Sequence, residues 1–97
     1  MANVKNFKLD HNSVEIISPT ASASTIECIN ICNTTGSSIT LSIYKNSNPF
    51  IDSYYIINAI TLPANSTFVY LILRIQPYWT LYVESLDGKA DINISYQ

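Results

Sequence analysis

The chain has 97 residues, 47% apolar and 12% charged, and its five basic and seven acidic side chains leave a formal net charge of -2. That length suits one domain around one core, and a charged share of about half the usual ~25% excludes a coiled coil or a charge-rich disordered tail. No Lys/Arg cluster is present to track phosphates, so nucleic acid is not an expected partner.

Residues 1–20 read as an N-terminal arm or edge strand, with Val4, Phe7 and Leu9 as its apolar positions. Ser18-Pro-Thr-Ala-Ser-Ala-Ser24 reads as a flexible polar connection to the body, residues 21–97. The first residues lack the apolar region of a signal peptide. The longest apolar stretch, Phe68 to Leu73, is far short of the ~20 residues a membrane helix needs. Synthesis in the cytoplasm, with no membrane partner, is therefore expected.

Beyond residue 20 the hydrophobic period is two almost everywhere, as half-buried strands require. Ile29 and Ile31 share one face, with Ile26, Cys28 and Cys32 on the other. After the turn-forming Asn33-Thr-Thr-Gly-Ser-Ser, Ile39, Leu41 and Ile43 alternate with Thr40, Ser42 and Tyr44, so the two runs read as a β-hairpin. Phe50 to Leu62 is long for one strand, and a bend or split is expected near Asn58-Ala59. Pro63-Ala-Asn-Ser66 is the next turn. Thr67 to Ile75 is apolar on both faces, which reads as a strand that is central or covered on its second side. Trp79, Leu81 and Val83 resume the alternation. Asp87-Gly88 is the strongest hairpin signal, because such a turn needs positive φ. Ala90, Ile92, Ile94 and Tyr96 then face inward along a last strand. The pattern predicts an all-β, single-domain antiparallel β-sandwich, Ig-like or jelly-roll-like, of about seven or eight strands.

Little in the sequence points to catalysis. Cys28 and Cys32 would lie about 13 Å apart on one strand at ~3.3 Å per residue, too far for a disulfide, and read as small core thiols. The single histidine, His11, lies between Asp10 and Asn12 and reads as a solvated residue. Asp87 and Asp91 would flank the last turn, but two carboxylates fall short of the six or more oxygens a hard cation wants. Two glycines, Gly36 and Gly88, make no phosphate-cradling loop. The sequons at Asn33, Asn65 and Asn93 follow from an Asn- and Ser-rich composition. No catalytic, cofactor or metal residue is predicted, and the chain is expected not to be an enzyme. The adjacent pairs Tyr54-Tyr55 and Tyr78-Trp79 must each send one ring outward from a strand. With few charges on the surface, those rings and Val4, Phe7 and Leu9 are the candidate interface residues. A carbohydrate-binding module, stacking sugars on Tyr78 and Trp79, is the alternative.

The segment Ile29-Asn-Ile-Cys-Asn-Thr-Thr-Gly-Ser-Ser-Ile-Thr-Leu-Ser-Ile-Tyr44 resembles small virion proteins of tailed bacteriophages. So do the Leu62 to Thr67 turn and the closing alternation from Leu81 to Tyr96. The resemblance covers roughly the last seventy residues, with fewer glycines and a middle richer in Tyr and Ile than the usual pattern. It implies a virion location and a non-enzymatic structural subunit. The role it favours is a capsid decoration (cement) protein, with neck or tail adaptor as the alternative. The implied partners are the major capsid protein or other virion proteins, and further copies of the chain in a homo-oligomer, a trimer favoured.

Overall fold

Residues 3–97, described by the computed structural model, form six strands and no helix. They are β1 (Asn3–Ile17), β2 (Ser24–Cys32), β3 (Ile39–Asn46), β4 (Ser53–Leu62), β5 (Thr67–Ile75) and β6 (Thr80–Tyr96). All pairings are antiparallel, and they join the strands into one curled sheet in the order β4-β3-β6-β2-β5, with β1 also on β6. The strands therefore number six rather than seven or eight.

The 17-residue β6 organises the sheet. On one edge it carries β1 along almost its whole length, from Asn3↔Tyr96 to Ile17↔Leu81. Its other edge is divided. Thr80 to Glu84 pair with β3, and Asp91 to Tyr96 pair with β2. The division falls at Leu86-Asp87-Gly88, the segment expected to be a hairpin turn.

No turn forms there. Asp10 pairs with Lys89 and Asn12 with Ser85, so three residues of β6 stand opposite His11 alone. This is a bulged corner, which bends a strand pair without ending it. The left-handed conformation is taken by His11 (φ 54°), and neither glycine has positive φ. Gly88 is needed for a different reason. A Cβ at this buried residue would collide with the Cβ and Cγ2 of Ile39. Asp87 uses its carboxylate to hold the start of β3, since Thr40 N–H donates to Oδ1 at 2.8 Å.

The expected hairpin between the Ile26 and Ile39 runs is also absent. β2 and β3 both pair with β6, on opposite sides of its corner, and not with each other. Asn33 closes the loop that this arrangement requires. Its fully buried side chain donates from Nδ2 to the carbonyls of Ser37 (2.8 Å), Leu62 (3.1 Å) and Pro63 (3.1 Å). Its Oδ1 accepts from Thr35 N–H at 3.0 Å and from the Thr35 hydroxyl at 2.7 Å. Its own N–H donates to Ser66 O at 2.8 Å. One amide thus ties the 33–38 loop to the Pro63–Ser66 turn, where Asn65 is left-handed (φ 54°). The Asn33 sequon belongs to this buried hub.

The core follows the predicted alternation in β3 and β6, where Ile39, Leu41, Ile43, Leu81, Val83, Ala90, Ile92 and Ile94 are all buried. Each large aliphatic side chain contributes about 1.5–3 kcal/mol on full burial. In β2 the alternation slips. A bulge between Ile26 and Cys28 on the β6 side puts Ile26 on the same face as Ile29 and Ile31. The cysteines are therefore not core thiols. Both are free and half-buried, with Cys28 aligned to Ser95 and Leu71 and Cys32 to Asp91 and Thr67. The Phe50 to Leu62 run is bent but not split. Ala59 adopts φ 55°, its N–H donates to Ser42 Oγ at 2.9 Å, and β4 continues past it.

Candidate interaction surfaces

Two surfaces stand out once the strands are in place. The first is a row of tyrosines across β4, β3 and β6. Tyr55 aligns with Tyr44, and Tyr44 with Tyr82. The Tyr44 and Tyr82 rings stack with centroids 5.3 Å apart and 11° between planes, and Tyr55 tilts against Tyr44 at 5.3 Å. Such cross-strand aromatic pairs add about 0.5–1.5 kcal/mol beyond area burial. The row ends on β1, where Glu15 aligns with Tyr82 and accepts its hydroxyl at 3.3 Å. Desolvation, and next the Glu15 charge, push the Tyr82 hydroxyl above its ordinary value of 10.0.

Beside the row lies a depression of about 280 Å³ lined by Tyr55, Asn58, Glu84, Leu86 and Asp87, among others. Its lining holds two carboxylates and no basic side chain. Glu84 accepts the Ser13 hydroxyl at 2.8 Å. The Thr40 N–H, the strongest influence, holds the Asp87 carboxyl below its ordinary value of 3.8. A carboxylate with a depressed folded pKa stabilises the fold above its unfolded pKa, and loses that effect as pH falls through the folded one. Asp87→Asn is therefore expected to melt below the parent at pH 7, with the gap closing as pH falls below the ordinary 3.8. Thermal melts across that range check it.

The second surface is β5. The apolar run expected to be central or covered is the last strand of the sheet order, with its outer edge open. Val69, Leu71 and Ile72 are 50%, 65% and 77% exposed. Ile72 is left-handed (φ 57°), an uncommon state for a β-branched residue, and it breaks the alternation so that Leu71 and Ile72 are both exposed. At the other end of the order β4 is equally open, with Tyr54 and Tyr55 exposed and Phe50 and Ile51 exposed in the preceding loop. β4 carries no charged residue and β5 carries one, Arg74. Long uncharged edges are templates for pairing with another chain, and free proteins usually guard them with lysine or proline.

The structure separates the sequence-predicted interface residues. Val4, Tyr54, Tyr55 and Tyr78 are exposed. Phe7 is half-buried against the core, and Leu9 is 1% exposed, a core residue aligned with Ala90 and not available to a partner. Trp79 is also packed against the core. Its ring stacks on Tyr54 at 5.5 Å, and the Lys45 ammonium lies 5.1 Å from its centroid. A ring so engaged is a poor platform for sugars. Sequence reasoning missed Val69, Leu71 and Ile72, because an apolar strand reads the same at an edge as in the middle of a sheet.

The polar candidates are placed separately. His11 Nδ1 lies 2.6 Å from Asp10 Oδ1 at the exposed corner, and Asp91 pairs with Lys8 at 2.7 Å. Asp87 and Asp91 do not flank a turn. Among the described residues no three His, Cys, Asp or Glu side chains are grouped to hold a metal ion. No helix there is long and apolar enough to cross a membrane.

No known protein family's model matches the chain, and no curated protein matches it by sequence. Solved structures do match. One is a chain of the T13 viral particle of IBDV, with a TM-score of 0.53 and 7% identity, over 97% of this chain and 31% of that one. Another is PirA, with a TM-score of 0.51 and 11% identity, over 97% of this chain and 93% of PirA. A third, from infectious bursal disease virus Gx strain, has a TM-score of 0.48 and 8% identity over 98% of this chain and 33% of that one. The chain thus spans about a third of the viral chains and nearly all of PirA. At these identities the likeness is one of fold: an all-β arrangement shared with a segment of a viral particle chain and with a protein of similar length.

Proposed function

We propose that the chain is a non-enzymatic structural subunit of a virus particle, and that its specific role is capsid decoration on a tailed bacteriophage. The observation that carries this reading is the pair of open, nearly uncharged strand edges, β4 and β5, with Val69, Leu71, Ile72, Tyr54 and Tyr55 exposed along them. Surfaces of this kind are stable in water when another chain covers them. The fold likeness to part of an IBDV particle chain and the resemblance of the Ile29–Tyr44 and Leu81–Tyr96 segments to phage virion proteins both support it. A shell multiplies modest contacts into avidity, so a small domain with two adhesive edges suits a repeated lattice.

The test is co-sedimentation of purified chain with empty shells of the phage that encodes it. Saturable binding, with a higher melting temperature for decorated shells, is the expected result. Labelling confined to the neck or tail would replace decoration with the adaptor role. Binding to neither, in material that is folded by circular dichroism, would sink the proposal.

A further inference from the structure

The five basic side chains are unevenly engaged. Lys8 pairs with Asp91, Lys45 lies over Trp79 and donates to Gln76 Oε1, and Lys5 lies over Tyr96. Lys89 is aligned with Asp10 across β1 and β6. Arg74 has no ion pair among the described residues, although it is exposed on the apolar β5. Conversely, the Tyr55–Glu84–Asp87 depression has carboxylates and no cation. It borders β4, another open edge of the same sheet; the open edge of β1 differs in carrying Lys5, Lys8, Asp10 and Glu15. A guanidinium prefers this setting, because it can bond a carboxylate and lie against a tyrosine ring together.

We propose that copies of this chain join edge to edge, β5 of one adding to β4 of the next, with Arg74 entering the depression beside Tyr55. The strand lengths fit. In an antiparallel register that sets Arg74 opposite Tyr55 and passes Ile56 as β3 does, Leu73, Tyr70 and Phe68 fall opposite Ile57, Ile60 and Leu62, so core-facing residues meet core-facing residues. Arg74 and Tyr55 then share the outer face, since Ile75 is in the core and Tyr55 aligns with Tyr44 of the outward row. The same register brings the exposed Leu71 and Ile72 against the exposed Ala59 and Asn58. A parent chain that pairs two different edges forms a head-to-tail contact, which gives a ring where the rotation closes. This is the contact that decoration by an oligomer would use, and it rests on the proposed function only for its purpose.

The test is light scattering coupled to size exclusion over a concentration series, on the parent, Arg74→Glu, Glu84→Arg and the double variant that carries both changes. The parent is expected to self-associate. Each variant alone should associate more weakly by about tenfold or more, as for a buried charge pair left unmatched. The double variant should recover the parent's association, because every junction then pairs opposite charges again with the signs exchanged. Circular dichroism checks folding, and if Glu84→Arg does not fold, Glu84→Gln alone is expected to weaken association, its lack of effect overturning the proposal. A monomeric parent at every concentration, or self-association unchanged by Arg74→Glu, would overturn the proposal. So would weakening that the double variant does not repair. Shell binding is measured separately, so a chain that decorates shells as a monomer refutes this contact alone.

Discussion

Gly88→Ala is expected to lower unfolding stability by about 1–3 kcal/mol, the usual cost of forcing a methyl into a filled core. The added carbon would collide with Ile39, which is buried at the start of β3. Neither side of this contact moves freely. The neighbouring Asp87 holds Thr40 N–H, and β6 is paired with β1 and β2 immediately beyond the corner. Urea titration reads the loss as a lower midpoint at unchanged slope. Ile39→Ala is destabilising alone, since it empties a core site. The Gly88→Ala, Ile39→Ala double variant should nevertheless lose less than the sum of the two, because the second change makes room for the first. Strict additivity would show that Gly88 is not held to glycine by Ile39.

Asn33→Ala is expected to cost about 3 kcal/mol or more. Its amide serves three carbonyls and two donors of Thr35, and several of these are withdrawn from water. Each buried polar group left without a partner costs about 1–3 kcal/mol. Asn33→Asp separates the two ends of the side chain. It keeps the acceptor that receives Thr35 but places a charged oxygen against the Leu62 and Pro63 carbonyls. It should therefore be no better than alanine at pH 7, and should recover partly in acid, where a protonated carboxyl can donate. Thermal melts at pH 7 and pH 4 distinguish the two. Equal stability of Asn33→Ala and the parent would mean that water replaces the hub without loss.

The period-two pattern was enough to place most strands and the core faces of β3 and β6, because side-chain alternation is a local property. What lay outside it was partner choice. Asp87-Gly88 carries hairpin chemistry, yet both residues are engaged with β3, Asp87 by a hydrogen bond and Gly88 by close packing. The slip in β2 that moves Ile26 inward depends on a bulge against β6, which the residues of β2 do not announce. Leu9 shows the same limit for the interface: its neighbours Lys8 and Asp10 mark a half-exposed strand, and only pairing with Ala90 decides that it faces the core. The tyrosine row was half legible. Tyr54-Tyr55 had to expose a ring, but stacking of Tyr44 on Tyr82 needed the register between strands far apart in sequence.

The divided edge of β6 also governs how the fold can be reached. β1, β2 and β3 have no pairing with one another and meet only through β6. Residues near position 3 must therefore wait for residues near position 96 before their ladder exists. Contacts of such sequence separation make folding slow, because loop entropy is lost before pairing compensates it. During synthesis the first 79 residues can form only the β2–β5 and β3–β4 pairs. Both of those ribbons leave Ile-rich edges uncovered, so the growing chain is most prone to aggregation just before β6 emerges, and assembly becomes all-or-none when it does.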